Sequence, residues 1–122
     1  MMMILVIDDE AIIVEFLQAV LEEEGYQVIT AYNGEEGLAC LEKVRPDIVL
    51  CDLMMPGLDG REFCQKMQAH PRYRSIPVVL MSALHITLRL IDCPYAALLS
   101  KPFDLDEVLH TLVCLLNASP LP

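Results

Sequence analysis

Five short runs of apolar residues recur along the chain, and segments with helical spacing lie between them. The runs are Met3–Ile7, Gln27–Thr30, Ile48–Cys51, Val78–Met81 and Ala96–Leu99. They are continuous rather than alternating in polarity, which is typical of strands buried on both faces of a parallel sheet. Their order predicts a single (βα)5 domain of the α/β class with right-handed crossovers.

The segments between the runs also carry helix boundaries. Asn33 and Asp104 are each followed three residues later by glutamate, the pattern of a capping box at a helix N-terminus. Gly25 is placed to end the first helix, and a third helix is expected over about 58–69. The segment 85–95 has room for only a short or irregular fourth helix. One face of the first helix is predicted to consist of Ile12, Ile13, Phe16, Leu17, Val20 and Leu21.

Length and charge limit the classes of function. The chain has 122 residues, so we expect one domain over 1–118 and a short C-terminal tail over 119–122. The formal net charge is −10 at pH 7. Because phosphates repel such a surface, direct binding to nucleic acid is not expected. The excess of carboxylates suits a site for a divalent cation, although it also fits solubility alone.

The cysteines indicate the compartment. Five of them form no CxxC pair and lie mostly among apolar neighbours: Cys40, Cys51, Cys64, Cys93 and Cys114. Buried free thiols are typical of a reducing environment, so we expect a cytoplasmic protein. No spacing of cysteine and histidine resembles a zinc-site motif. No apolar run approaches the roughly 18 residues of a membrane span, so no membrane association is expected.

Polar residues follow four of the predicted strands where each strand ends. They are Asp8 and Asp9 after the first, Asp52 after the third, Ser82 after the fourth and Lys101 after the fifth. Ligands of an open parallel sheet bind beyond these carboxyl ends, so the five side chains should share one crevice. Three carboxylates there need a positive partner, and Mg²⁺ prefers such oxygens together with a phosphate. The set predicts phosphoryl transfer to Asp52, with Lys101 and Ser82 contacting phosphoryl oxygens.

Each of these residues alone also fits a structural role. Asp8 or Asp9 could cap the first helix, Ser82 could cap the next one, and Lys101 could be an exposed surface lysine. The interpretation as a site depends on their joint occurrence at four strand ends.

Four stretches of the sequence resemble the motifs of a response-regulator receiver domain of two-component signalling: Ile4–Glu10, Asp47–Gly60, Met81–Ala83 and Lys101–Phe103. The resemblance covers essentially the whole chain. It implies a flavodoxin-like, three-layer fold with a five-stranded parallel sheet in the order 2-1-3-4-5. It also implies that the Lys101–Pro102 peptide bond is cis.

The resemblance assigns roles to the residues at the strand ends. Asp52 would accept the phosphoryl group, and Ser82 and Lys101 would bind it. Mg²⁺ would be held by Asp8, Asp9, Asp52 and the backbone carbonyl of Met54. The phosphoryl donor would be a histidine kinase, a histidine phosphotransfer protein or a small phosphodonor.

The sequence departs from this family before the fifth strand. The family usually has an aromatic residue three positions before the lysine, where Leu98 stands, and Tyr95 is out of register. The interval between Ser82 and Lys101 is about three residues shorter than is usual in the family. The three histidines, His70, His85 and His110, match no motif and are expected on the surface.

The shortened region is also apolar, with Leu88, Leu90, Ile91, Tyr95 and Leu98 close together in sequence. These residues fit the core under a short loop. They equally fit an exposed face of the fourth helix, fifth strand and fifth helix, since large apolar patches usually bind partners. A homodimer or a docked partner would use that face.

Two other functions are compatible with parts of the sequence. One is a pseudo-receiver, an interaction module whose output phosphorylation does not control. The other is a phosphatase of the haloacid-dehalogenase type, but that chemistry needs an aspartate two residues after Asp52, where Met54 stands. We therefore expect no enzymatic activity beyond transfer to the chain's own Asp52. Because Met54 cannot orient an attacking water, we predict a long-lived acyl phosphate.

Overall fold

Strands and helices alternate over residues 2–83 and 93–117, the part of the chain that this computed structural model describes. The elements are β1 Met3–Ile7, α1 Ala11–Glu23, β2 Gln27–Ala31, α2 Gly34–Lys43, β3 Ile48–Asp52, α3 Gly60–Ala69, β4 Val78–Ser82, β5 Ala97–Ser100 and α4 Leu105–Leu116. The strands form one parallel sheet in the order β2-β1-β3-β4-β5. This confirms the predicted class and strand order.

The central strands explain why the apolar runs are continuous. Every residue of β3 and of β4 is buried, as are four of the five residues of β1. Helices cover both faces of the sheet, so each of these side chains packs against a helix whichever way it points. The edge strands β2 and β5 are only partly buried.

Two apolar layers hold the helices on the sheet. On one face α2 and α3 contribute Leu41, Phe63 and Met67. On the other face α1 contributes Leu17 and Leu21, and α4 contributes Val108 and Leu112. The strands lie between these two layers. Because all five strands are parallel, their carboxyl ends lie at one edge of the sheet.

Helix boundaries follow the capping residues. Asn33 caps α2 and accepts from the backbone N–H of Glu36 at 2.8 Å, as predicted. Asp59 forms a complete capping box with Glu62, so α3 begins at Gly60 rather than near residue 58. Asp104 caps α4, but its partner is the N–H of Asp106 rather than that of Glu107. Gly25 follows α1 with a φ of 96°, as expected of a residue that ends a helix.

The predicted apolar face of α1 is wrong in part. Ile12 is 79% exposed and Phe16 is 47% exposed, whereas the buried positions are Val14, Leu17 and Leu21. Eight apolar residues between positions 12 and 21 extend over more of the helix than the sheet can cover, so the sequence alone does not select the buried face.

Some predictions fall on residues outside the described ranges. These are the short fourth helix, the histidine His85, the apolar residues Leu88, Leu90 and Ile91, and the tail over 119–122. Tyr95 and Leu98 are described, and both are partly buried against the layer that contains Phe63. Within residues 2–83 and 93–117, no helix is long and apolar enough to cross a membrane.

Candidate functional site

The carboxyl ends of four strands bring the predicted site residues to one edge of the sheet. Asp8 directly follows β1, Asp52 ends β3, Ser82 ends β4, and Lys101 directly follows β5. The parallel register places Asp52 beside Met81 and Ser82 beside Ser100. The crevice therefore forms where the sequence predicted it.

Three carboxylates converge in this crevice. One oxygen from each of Asp8, Asp9 and Asp52 lies within 4.8 Å of the others. Asp8 and Asp52 are buried, whereas Asp9 is exposed at the mouth of the crevice. Hard oxygen ligands at this spacing, partly open to solvent, fit a cation such as Mg²⁺ that keeps part of its water shell.

Lys101 supplies positive charge to the same crevice. Its Nζ lies 2.7 Å from Asp8 Oδ2, 3.4 Å from Asp52 Oδ1 and 3.5 Å from Glu10 Oε1. The second oxygen of Asp8 accepts from the backbone N–H of Glu10 at 2.9 Å. The capping residue of α1 is Glu10, so neither Asp8 nor Asp9 caps that helix.

Glu10 is the residue that sequence reasoning missed. It was part of the motif Ile4–Glu10, but no role was assigned to it. Three consecutive acidic residues after a strand could have indicated it, because a long glutamate at the start of a helix can reach back over the strand end.

Burial sets the electrostatics of the two inner carboxylates. It raises the pKa of Asp52 from its usual 3.8 to about 6, with the charge of Asp8 as the second cause, while Lys101 opposes the rise. It also raises the pKa of Asp8, against the hydrogen bond from Lys101. For both carboxylates the cost of burying the ionised form therefore exceeds what the contact with Lys101 offsets.

The lysine responds in the opposite sense. Burial lowers the pKa of Lys101, but the hydrogen bond to Asp8 and the charges of Asp52, Asp8 and Glu10 outweigh it, so the net shift is upward. Lys101 is therefore charged at neutral pH and stays available to an anion on Asp52.

Backbone contacts fix the remaining parts of the crevice. The carbonyl of buried Ser82 accepts from the backbone N–H of Lys101 at 2.7 Å, and the Lys101–Pro102 bond is cis, as expected. Gly60 packs so closely under the loop after Asp52 that a Cβ there would lie 2.8 Å from the Cα of Leu53. The Met54 side chain, 57% exposed, lies in that loop.

Comparison with known proteins gives a consistent result. The family model of the response regulator receiver domain matches residues 4–113. The DNA-binding dual master transcriptional regulator RpaA of Synechocystis sp. is 35% identical over 117 residues, which cover 93% of this chain. The response regulator PleD of Caulobacter vibrioides is 41% identical over 104 residues, which cover 83% of this chain.

Solved structures show the same fold. The response regulator protein TrrA of Thermotoga maritima, determined in complex with Mg²⁺-BeF, has a TM-score of 0.85 and 34% identity, with 94% of this chain and 99% of that chain covered. The curated relatives are longer: the chain spans 48% of RpaA and 23% of PleD.

Proposed function

This chain belongs to the response regulator receiver domain family, and on that premise we propose that it is a Mg²⁺-dependent phosphorylation switch of two-component signalling whose phosphoryl acceptor is Asp52. Members of this family are signalling domains. We assign the receiver domain to residues 1–118 and a tail to residues 119–122. The observation that carries the proposal is the single ammonium of Lys101, which lies between Asp8 and the buried carboxylate of Asp52.

The raised pKa of Asp52 bears on its role as a nucleophile. With a pKa of about 6, the carboxylate is ionised at neutral pH, but it is more basic than an exposed aspartate and so a better nucleophile. Its oxygen attacks the phosphorus of the donor. The new O–P bond forms as the bond to the donor breaks, and the electron pair of that bond leaves with the donor's nitrogen or oxygen.

Phosphoryl transfer is accelerated mainly by positive charge that stabilises the phosphoryl group in the transition state. Lys101 already lies at 3.4 Å from Asp52 Oδ1 and can contact a phosphoryl oxygen bound there. In this proposal the hydroxyl of Ser82, at the end of the neighbouring strand β4, donates to another phosphoryl oxygen. The phosphoryl group then adds negative charge to a crevice that already contains three carboxylates. A change of conformation can relieve the resulting electrostatic repulsion.

We propose that Mg²⁺ is held by Asp8, Asp9 and Asp52 together with the backbone carbonyl of Met54. The three carboxylate oxygens within 4.8 Å of one another support this assignment. The Mg²⁺-BeF complex of TrrA supports it by similarity. When bound, the ion neutralises charge on the carboxylates and on the phosphoryl oxygens.

For the partner, we propose a histidine kinase or a histidine phosphotransfer protein, with small phosphodonors as an alternative source. The exposed apolar side chains of Ile12 and Phe16 lie four residues apart in the first half of α1, the helix that directly follows Asp9 and Glu10. An apolar surface beside an acidic acceptor suits a protein that presents a phosphohistidine to the crevice.

We propose the cytoplasm as the location, because the cysteines among the described residues form no disulfide bond. We propose no direct contact with nucleic acid for this chain, because its net charge is −10. We propose a second docking or dimer surface on the face predicted for the fourth helix, the fifth strand and the fifth helix. Of these, the described parts are β5 and α4, which is the predicted fifth helix.

Phosphorylation with acetyl phosphate tests the proposal. In the presence of Mg²⁺, intact mass spectrometry should show the gain of one phosphoryl group on the wild type and none on Asp52→Asn. The matched control is Asp47→Asn, which changes an exposed aspartate at the opposite edge of the sheet and should be labelled like the wild type. Labelling that survives in Asp52→Asn, or that needs no divalent cation, would overturn the proposal.

One observation favours a second candidate, the pseudo-receiver. Leu98 occupies the position of the family's usual aromatic residue, and it is partly buried against the layer that contains Phe63. If phosphorylation of Asp52 leaves the amide chemical shifts of β5 and α4 unchanged, the chain is an interaction module. Shifts that change in both elements support the switch.

A further inference from the structure

Two side chains with soft metal-ligand atoms lie together on the outer surface of α4. His110 and Cys114 are four residues apart and both are exposed. The Sγ of Cys114 lies 3.5 Å from the Nε2 of His110. This pair lies on a different element from the acidic crevice, and the proposed phosphorylation does not use it.

The distance between the two atoms matches a tetrahedral metal. Zinc binds cysteine sulfur at about 2.3 Å and histidine nitrogen at about 2.0–2.1 Å. With ligand atoms 3.5 Å apart, those bond lengths give a ligand–metal–ligand angle of about 105–109°, which is the tetrahedral value. The two side chains therefore have the separation of a chelating pair without any rearrangement of the helix.

We propose that His110 and Cys114 form one half of a tetrahedral Zn²⁺ site and that a second copy of this chain supplies the other half through the same two residues. Structural zinc takes four protein ligands, commonly two cysteines and two histidines. Within residues 2–83 and 93–117, the clusters of three or more acidic, histidine or cysteine ligands comprise only Asp8, Asp9 and Asp52. The chain itself thus provides half of a zinc site on α4.

A two-fold axis through the ion completes the set. In such an arrangement the same surface patch of both copies meets, so each α4 contributes one nitrogen and one sulfur. The exposed side chain of Val113, three residues after His110 and so its neighbour on the helix surface, adds an apolar contact across the axis. Each copy carries a net charge of −10, so salt should strengthen the association.

Binding exchanges protons for the metal. The Nε2 lone pair of neutral His110 donates to the ion while Nδ1 keeps its hydrogen. The thiol of Cys114 loses its proton to solvent and binds as thiolate. Two thiolates balance the charge of Zn²⁺, and no oxidant or reductant takes part.

Cobalt(II) is the probe, because it binds at zinc sites and its complexes with protein ligands absorb light. The titration uses the reduced chain of residues 1–122, a phosphine reductant and excess Mg²⁺, which is added to compete for the acidic crevice. We expect a thiolate-to-cobalt charge-transfer band in the near ultraviolet that saturates at about one ion per two chains. In sedimentation velocity the dimer fraction should rise with Co²⁺ or Zn²⁺ and fall when a chelator is added.

Matched variants locate the ligands. Cys114→Ser should abolish the charge-transfer band, and His110→Ala should weaken binding by about a hundredfold, because one arm of the chelate is lost. The controls are Cys40→Ser on α2 and His70→Ala after α3, both of which should titrate like the wild type. Both ligand side chains are exposed, so the variants should keep the wild-type melting curve.

Three results would each overturn the proposal: no charge-transfer band in the wild type, a band that persists in Cys114→Ser, or saturation at about one ion per chain without a metal-dependent dimer.

Discussion

Replacing Asp52 by asparagine should make the domain more stable at neutral pH. The reason is that burial, and after it the charge of Asp8, penalises the ionised carboxylate of Asp52 more than Lys101 stabilises it, so its pKa is raised. The variant Asp52→Asn keeps the shape of the side chain and removes one of those charges. The close contact of 2.7 Å between Lys101 and Asp8 remains, and only the longer contact of 3.4 Å to Asp52 is weakened.

The pKa of Asp52 gives the size and the pH dependence of the effect. A rise from 3.8 to about 6 corresponds to about 3 kcal/mol of unfavourable free energy in the ionised folded state. This rise already includes the favourable contact with Lys101. Solvent at the open mouth of the crevice screens part of the penalty, so we expect a net gain of about 2 kcal/mol. The unfolded chain loses this proton near pH 3.8 and the folded chain near pH 6. The wild type therefore loses stability relative to the variant as the pH rises from about 4 to about 7.

Urea unfolding followed by circular dichroism, without divalent cations, measures the difference. The free energy of unfolding of Asp52→Asn should exceed that of the wild type at about pH 7.5, and the two should converge near pH 4. Excess Mg²⁺ should narrow the gap at neutral pH, because the ion stabilises the wild type more. The control Glu42→Gln removes an exposed charge on α2 and should change stability by less than about 0.5 kcal/mol. A gain of equal size at both pH values, or in Glu42→Gln, would refute the reasoning.

Other positions give further predictions. Gly60→Ala should lower stability by about 2 kcal/mol and slow labelling by acetyl phosphate, because the added methyl group pushes against the backbone at Leu53 and moves Asp52. Met54→Asn should shorten the lifetime of the acyl phosphate on Asp52, measured as the decay of the phosphorylated mass, because an amide can orient water and a thioether cannot. Phe16→Ala should slow phosphoryl transfer from a histidine kinase by about tenfold and leave labelling by acetyl phosphate unchanged.

Each of these has an outcome that contradicts it. A melting temperature of Gly60→Ala equal to that of the wild type would show that the loop after β3 can move away from the added methyl group without loss of stability. Equal lifetimes of the acyl phosphate in the wild type and Met54→Asn would exclude the water-orienting role. For Phe16→Ala the control is Gln68→Ala, an exposed change on α3. Equal rates from the kinase in both variants would remove α1 from the docking surface.

The sheet could be predicted from sequence because burial on both faces leaves a plain pattern. The five apolar runs differ from the observed strands by at most one residue at either end. Helix faces were harder, since α1 offers apolar side chains in several directions and only the packing selects Val14 over Ile12. Helix starts depended on which backbone N–H each cap receives, and a sequence does not show whether Asp104 binds Asp106 or Glu107.

The residues of the candidate site could be predicted from the sequence, whereas their ion-pair contacts and pKa shifts could not. Asp8, Asp52, Ser82 and Lys101 were identified because strand ends in a parallel sheet meet at one edge. The roles assigned to them stay predictions. The contact between Lys101 and Glu10, and the rise in the pKa of Asp52 to about 6, depend on side-chain positions and burial that spacing does not encode. The pair of His110 and Cys114 was missed because a single helical turn carries only half of a zinc motif.

The single ammonium of Lys101 is shared among the carboxylates of Asp8, Glu10 and Asp52, which has a consequence for how the domain responds to phosphorylation. We expect a phosphoryl group on Asp52 to draw Lys101 away from Asp8, whose hydrogen bond of 2.7 Å then weakens. We expect a divalent cation beside Asp8 to supply the positive charge that the lysine withdraws and to stabilise the phosphoryl group. The crevice would then act as a detector of coincidence. We expect Lys101 to move fully only when the cation and the phosphoryl group are both bound.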